Sequence, residues 1–584
     1  MSVAQKHELA REALARHDYD DAVRHIDDAL QQNENDAIAM SLMSDLLEEQ
    51  GEHMEAIGYA VLAINTDNAS LSAKKKFLRL AGDMHFAHHN PNVESAILAC
   101  LRTPDLEYGG ANVLWGNALL VNPGFIALFQ HVMRKRLLPW AKPFDGVTDF
   151  SPLLTEYFLL GISQIVVCFL PFERFMVNLR AFLLEQSGEK SPRLPAADLL
   201  KLTCAMARYA FHADFILEIG EKEAKQVETY KTRALDGTAT AQDIAILGCY
   251  QPLYALTNAG AVEEKFAHGE TAGMIAAHIT EYKALQKRAA ALTAATEIGK
   301  ADNVASKVKE MYESYPYPRW RELEENKFTW REQDRAVLGL PGATALVAGC
   351  GTGRESCQLA ASFPQADILA IDITAASLAY AIDKAEKYGL KNVAHIQADI
   401  LELKKLGRSF DYIHCVGVLH HMEEPETGWQ VLTDLLKPGG TMHIGLYGET
   451  PRRSIVEARE AIRKHGYPAT PEGMRAFRKD SPLLLRPESL QTLLKAKDYY
   501  FLNMYSDLLF HVHEDRFTIP RIAAALKKLG LTFTGFKLPD AVMQLYRQMF
   551  PDDPQGLILL NWEVFEKSHP DTFIHSYKFW CRKP

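Results

Sequence analysis

The sequence predicts a multidomain chain: an N-terminal α-helical repeat, an all-α middle region, and a C-terminal α/β domain built on a parallel, doubly wound sheet. Three observations predict it. The first hundred residues repeat with a shift of 34 positions. Residues 105–300 keep apolar side chains three and four apart, as in "LLKLTCAMARYAFHADFILEI". From about 340 onward, short β-rich runs alternate with helical patterns.

The repeat is carried by "DYDDAVRHIDDALQQNENDA" and "EHMEAIGYAVLAINTDNAS", which place Ala22 over Ala56 and Ala29 over Ala63. A period of 34 with small residues where paired helices cross is the tetratricopeptide pattern, because only small side chains let the two helices approach closely. A degenerate third copy, "VESAILACLRTPD", puts Ala96 and Pro104 at the corresponding places. We assign repeats to 1–104 and an all-helical middle domain to 105–300. Such repeats point to a protein partner or substrate on their concave surface, or to a homodimer; a plain helical hairpin pair without a binding role is the alternative.

Composition excludes several classes. With 64 basic against 74 acidic residues the net charge is −10, so the chain lacks the general basic field of nucleic-acid binders and no nucleic-acid partner is expected. The start, "MSVAQKHELAREAL", has no apolar run of the kind that directs secretion. The longest apolar stretch, "YFLLGISQIVVCFLPF" at 157–172, is short of a bilayer span and contains Ser163 and Gln164. It reads as a buried core helix, and the protein as cytoplasmic without membrane contact. The eight cysteines are scattered with no CxxC pair and read as reduced structural thiols.

The C-terminal domain, 301–584, opens on a helix that runs into "VKEMYESYPYPRW", where Pro316 and Pro318 end it. Five strands follow: "ATALVAG", "ADILAIDI", "VAHIQADI", "FDYIHCVGV" and "TMHIGLY". Ligands of such sheets sit at the carboxyl ends of the strands. After the first strand come Gly349, Gly351 and Gly353, which let backbone N–H groups and a helix N-terminus approach a ligand closely. Arg354 stands where a dinucleotide fingerprint would have its last glycine. Asp372 closes the second strand, where a carboxylate takes ribose hydroxyls, and Asp399 closes the third with an acceptor suited to an adenine amino group. "LLKPGG" at 435–440 supplies a turn before the fifth strand, with Gly439 and Gly440 free to take positive φ.

With these features in this order, the stretch 340–447 resembles the class I S-adenosylmethionine (SAM) dependent methyltransferases of the "LHHL…LKPGG" type. The whole chain resembles a bacterial group that joins tetratricopeptide repeats to this domain, through "YPYPRW", "CYQPLY", "DLLFHVHEDRFT" and "NWEVFEKSHPDTF…YKFW". The resemblance implies a Rossmann-like fold with core 340–448, a helical insertion at 450–515, and a terminal helix and strands over 517–584 interrupted by an insertion at 540–573. It implies SAM as cofactor, held by Gly349, Cys350, Gly351, Thr352 and Gly353, by Asp372 and Ile373 at the ribose, and by Asp399, Ile400 and Val416. Val347 departs from the pattern, since many class I enzymes have an acid two residues before the first glycine; Arg354 and Glu355 are the candidates to compensate.

For the acceptor side, His420 and His421 in "CVGVLHHM" are catalytic candidates, because a neutral imidazole can take a proton from an incoming nucleophile; bonding to the neighbouring loop is the structural alternative. Tyr315, Tyr317, Arg319, Trp320, Tyr447, Tyr505, Asp507, His511 and Trp562 are the substrate-pocket candidates. His511, His513 and Glu514 also spell a zinc-like pattern, but class I methyl transfer does not generally require a metal and none is expected. The expected reaction is methyl transfer to an O, N or C nucleophile of a protein presented by the repeats. The alternatives are a small-molecule acceptor with repeats that oligomerise, and a SAM-binding scaffold without catalysis.

Overall fold

A computed structural model describes residues 1–66, 69–103, 106, 111–137, 142–295, 303–314, 320, 323, 330–573 and 576–584. The chain divides into two compact units, Met1–Thr280 and Glu281–Pro584.

The first unit is helical. Helices Val3–Ala15 and Tyr19–Gln32 form one hairpin and Ala37–Glu49 and His53–Ile64 the next, so that corresponding helices start 34 residues apart. Polar caps set the starts: Ser2 forms a capping box with Gln5, and Asp18 and Asp36 each accept a backbone N–H of the turn they open. Ala22, Ala29, Ala56 and Ala63 are all fully buried where the helices meet. The next pair, Leu71–Ala81 and Pro91–Leu101, again buries an alanine, Ala96, while Pro104 lies outside the described residues.

The apolar stretch at 157–172 is not one helix. Helix Glu156–Ile162 ends, an irregular segment follows, and a new helix runs from Leu170 to Gly188. Pro171 has no N–H to donate and is tolerated in a first turn, so the helix restarts around it. The apolar side chains remain buried, among them Phe158, Ile162 and Ile165. Gly161 is required here because a Cβ would lie 2.1 Å from the Trp115 ring.

The second unit carries a seven-stranded sheet: β1 (Thr344–Ala348), β2 (Asp367–Asp372), β3 (Val393–Gln397), β4 (Phe410–Val416), β5 (Leu436–Tyr447), β6 (Thr532–Phe536) and β7 (Ser576–Arg582). The order is β3-β2-β1-β4-β5-β7-β6. The first five strands run parallel and β7 is antiparallel to both β5 and β6. Strands β1, β2 and β4 are mostly buried because helices cover both faces, which is why these runs read as apolar stretches, whereas the edge strand β3 is only partly buried. The order reverses between β1 and β4, and at such a point the loops diverge and leave a crevice.

"LKPGG" does not form a turn ahead of β5 but lies inside it. The register with β4 shifts between Phe410 and Tyr412, so these residues form an irregularity within the strand. Gly439 has φ +77°, whereas Gly440 does not take positive φ and is required by close approach, a Cβ there lying 2.9 Å from the Lys437 carbonyl oxygen. The segment 450–515 supplies helices Arg453–His465, Pro471–Leu484, Pro487–Lys495 and Leu502–Phe510, and 540–573 supplies Asp540–Met549 and Leu559–Ser568.

Candidate functional site

The glycine loop joins β1 to the helix Arg354–Ser362, and Gly349, Gly351 and Gly353 have φ of +72°, +52° and +83°. L side chains rarely adopt such angles. Two of these glycines are also fixed by space: a Cβ at Gly349 would lie 2.3 Å from the Val418 side chain, and one at Gly353 2.5 Å from the Ala381 Cβ.

Asp372, half-buried at the end of β2, reaches back to this loop. Its Oδ2 accepts the Gly351 N–H at 2.8 Å, and its Oδ1 accepts the Thr374 N–H at 2.9 Å and hydroxyl at 2.7 Å. Enclosure raises its pKa above the usual carboxylate range, while these hydrogen bonds pull it back down. Asp399, buried at the end of β3, accepts the Leu401 N–H at 2.9 Å and starts the short helix Ile400–Leu406. The loop, Ile373, Ile400 and Val416 therefore lie at the carboxyl ends of adjacent strands.

Val347 is buried in an apolar cluster with Leu338, Leu359, Ile368 and Tyr412. An acid there would sit in that cluster, which accounts for an apolar residue at this position.

The residues expected at the acceptor come from the ends of β4 and β5 and from the insertion. His420 is fully buried; its Nδ1 accepts the Tyr447 N–H at 3.3 Å and its ring stacks on Tyr447 at 3.7 Å. The Arg452 guanidinium lies 3.6 Å from the Tyr447 ring centre, so imidazole and guanidinium must take opposite faces. Arg452 is in turn bidentate to buried Glu514, at 2.8 and 2.6 Å. His421 donates from Nδ1 to the His513 carbonyl at 2.9 Å, which leaves Nε2 as a lone pair. Burial drives the His421 pKa down to about 3 and that of His420 well below the imidazole range, so both rings are neutral near pH 7. Such rings keep a single N–H and accept a hydrogen bond at the other nitrogen, but do not hold a second proton.

His511 stacks on His421 at 3.7 Å with the planes 25° apart. A ring nitrogen of each and a carboxylate oxygen of Asp507 lie within 4.8 Å of one another. Metal ligation requires the ion in the plane of each imidazole, about 2 Å from its nitrogen, and planes stacked this way do not meet that close.

Sequence reasoning missed two neighbouring residues on the helix Asn303–Ser314. The Tyr312 hydroxyl donates to Asp507, and Glu313 accepts the Ala375 and Ala376 N–H groups at 2.8 and 3.0 Å, capping the helix that follows Asp372. One helix end thus touches both Asp507 and the helix that follows Asp372. No local pattern marks a Tyr-Glu pair at a helix end for such a role.

Three of the predicted substrate residues are placed elsewhere. Trp320 packs behind the glycine loop, donating from Nε1 to the Thr352 carbonyl at 2.9 Å and stacking on Tyr388. Tyr505 is fully buried against Tyr499 and Phe510 inside the insertion. Trp562 is a core residue, stacked on Tyr546 at 3.9 Å. Tyr315, Tyr317 and Arg319 lie outside the described residues. Tyr447, Asp507, His511 and His421 are brought together.

This strand order, with a glycine loop after β1 and acids closing β2 and β3, defines a Rossmann-like methyltransferase fold behind a helical N-terminal unit. Residues 341–483 match the family model described as a methyltransferase domain. An uncharacterised protein of Synechococcus sp. is 31% identical over 258 residues, 40% of this chain and 60% of that protein. A trans-aconitate 2-methyltransferase of Deinococcus radiodurans is 36% identical over 114 residues, 20% of this chain and 42% of that enzyme. Among solved structures, PKMT2 from Rickettsia typhi in complex with AdoHcy is 17% identical with a TM-score of 0.34, covering 43% of this chain and 52% of that one. The chain spans about half the length of the curated relatives it matches.

Proposed function

We propose that this chain is a SAM-dependent methyltransferase. The observation that carries the reading is Asp372: a carboxylate at the end of β2, tied to the glycine loop through Gly351 N–H and oriented by Thr374. A nucleoside carrying an amino-acid tail fits the residues present. The positive-φ loop brings backbone close to the tail, Asp372 faces the ribose position, and Asp399 with Ile400 borders the base position. SAM supplies a methyl group on a positively charged sulfur, which an electron-rich O, N or C atom can take.

The chain's own work is positioning, because holding a nucleophile in line with that methyl group lowers the barrier substantially. His421 Nε2 and Asp507 present hydrogen-bond acceptors to the incoming group. Arg452, locked by Glu514 and Tyr447, holds the wall behind them. Trp320 fixes the glycine loop from behind.

We further propose that the helical hairpins of the first unit present a polypeptide acceptor to the enzyme in the cytoplasm. The paired 34-residue spacing and the buried alanines at the crossings support it. Incubating the protein with labelled-methyl SAM and lysate of its source cell tests this: label in protein bands is expected, and label confined to small molecules contradicts it.

A further inference from the structure

Two histidines near Asp507 carry opposite hydrogen-bonding roles. His421 and His511, both buried, stack at 3.7 Å with their planes 25° apart. The backbone of one residue, His513, sets the tautomer of each: its carbonyl accepts from His421 Nδ1 at 2.9 Å, and its N–H donates to His511 Nδ1 at 3.2 Å. Both rings therefore turn Nδ1 toward His513 and Nε2 away from it. His421 Nε2 is a lone pair, whereas His511 Nε2 carries the proton. That N–H is enclosed and meets no acceptor among the described residues, Asp507 included. A buried donor left unmet is costly, so the pair calls for a group that accepts from one ring and donates to the other.

The cluster calls for no charge. Arg452 and Arg459 each attract both Glu514 and Asp507, so two cations match two carboxylates. Asp498 adds a carboxyl near Asp507 and has Lys497 to offset it. The group already seated on Asp507 is itself an uncharged hydroxyl, that of Tyr312.

Resting on the methyltransferase reading, we propose that the methyl acceptor is an uncharged hydroxyl, its oxygen accepting from His511 Nε2–H while its O–H donates to His421 Nε2. Hydrogen bonds of about 2.9 Å tolerate bending and can meet on one oxygen beside stacked rings, where metal bonds of about 2 Å do not. Oxygen has the electrons for this: one lone pair accepts from His511 and the second is left to attack the methyl group. A neutral amine spends its single lone pair on His511, and an ammonium has none. A carboxylate brings no proton for His421 and adds a charge to a balanced site, and a thiol is weak in both roles. In the transfer the O–C bond forms, the C–S electron pair stays on sulfur, and the hydroxyl proton passes to His421 Nε2 and then to water. A weakly basic ring suffices, because an oxygen that gains a methyl group becomes a far stronger acid than an imidazolium.

The bond formed in the product tests this. The full chain is incubated with lysate of its source cell and SAM carrying carbon-13 in its methyl group. Signals that require the added chain are read by carbon NMR before and after alkali. We expect a methoxy carbon that survives alkali, as an ether does. A methyl on nitrogen, sulfur or carbon, or a methoxy lost in alkali as an ester is, overturns the proposal. His511→Phe keeps a stacked ring without the N–H, and should slow this labelling at least tenfold while changing S-adenosylhomocysteine affinity less than twofold. An unchanged labelling rate overturns the role given to the pair. The wild-type product decides even where the variant fails to fold. A chain that binds no S-adenosylhomocysteine in its own calorimetric titration strikes the methyltransferase reading instead.

Discussion

The Gly351 backbone N–H donates to Asp372 Oδ2 at 2.8 Å, joining the loop after β1 to the end of β2. That bond aligns two groups that a nucleoside ligand would use together. It ties the shape of the loop to a side chain 21 residues away.

Gly353 should not tolerate alanine. Its φ of +83° is unfavourable for an L residue, and the added Cβ would lie 2.5 Å from the Ala381 Cβ and 2.9 Å from its Cα. Gly353→Ala is expected to destabilise the protein by roughly 1–3 kcal/mol, read by denaturant unfolding followed through tryptophan fluorescence. Unchanged stability would mean that the loop and the Ala375–Lys387 helix separate more readily than their packing indicates.

Trp320 should connect stability with cofactor affinity. Trp320→Ala removes the bond to the Thr352 carbonyl and a ring packed against Cys357 and Ala385. A loss of about 3–5 kcal/mol is expected from a truncation of this kind. Trp320→Phe keeps much of the packing but not the Nε1 donor. It should be milder in thermal unfolding while still weakening SAM, because the loop loses an anchor.

The buried pair Arg452–Glu514 should show the asymmetry of enclosed ion pairs. Their side chains are 1% and 0% exposed. Glu514→Gln leaves a buried guanidinium without its charge partner and is expected to cost about 3–5 kcal/mol. A Glu514→Gln, Arg452→Met double variant should recover part of that loss in equilibrium unfolding. Simple additivity of the two losses would rule out coupling between them.

Mild acid should weaken the fold through buried histidines. His278 is fully buried, and burial lowers its pKa to about 4 from an ordinary value near 6.5. The unfolded chain therefore binds more protons between these values. The contribution is present above about pH 6.5 and is lost as pH falls toward about 4. Denaturant midpoints should drop over that range, and drop less in a His278→Asn variant. An identical pH slope in both would remove His278 from the cause.

The five parallel strands were legible as short β-rich runs between helical patterns, and Asp372 and Asp399 because each is an acid just where such a run stops. The break after Ile162 was not legible, since apolar composition continues across it and packing around Gly161 and Trp115 is a tertiary matter. "LKPGG" read as a turn because its residues favour turns, yet pairing with β4 holds it in the strand with an irregular register. Of the residues that the structure gathers around Asp507, His421, Tyr447, Asp507 and His511 were visible as types. Tyr312 and Glu313 were not, because their partners lie 195 and 62 residues away. Trp320 was assigned to substrate because an aromatic beside a glycine loop suits either the pocket or the support behind it, and sequence does not distinguish front from back.

The most direct measurement is calorimetric titration of the full chain with SAM, alongside Asp372→Ala. The wild type is predicted to bind one SAM per chain. The variant should bind at least tenfold more weakly, as loss of hydrogen bonds to a charged group of roughly 1.5–3 kcal/mol implies. A wild-type chain that takes up no SAM would contradict the central claim, whatever its fold.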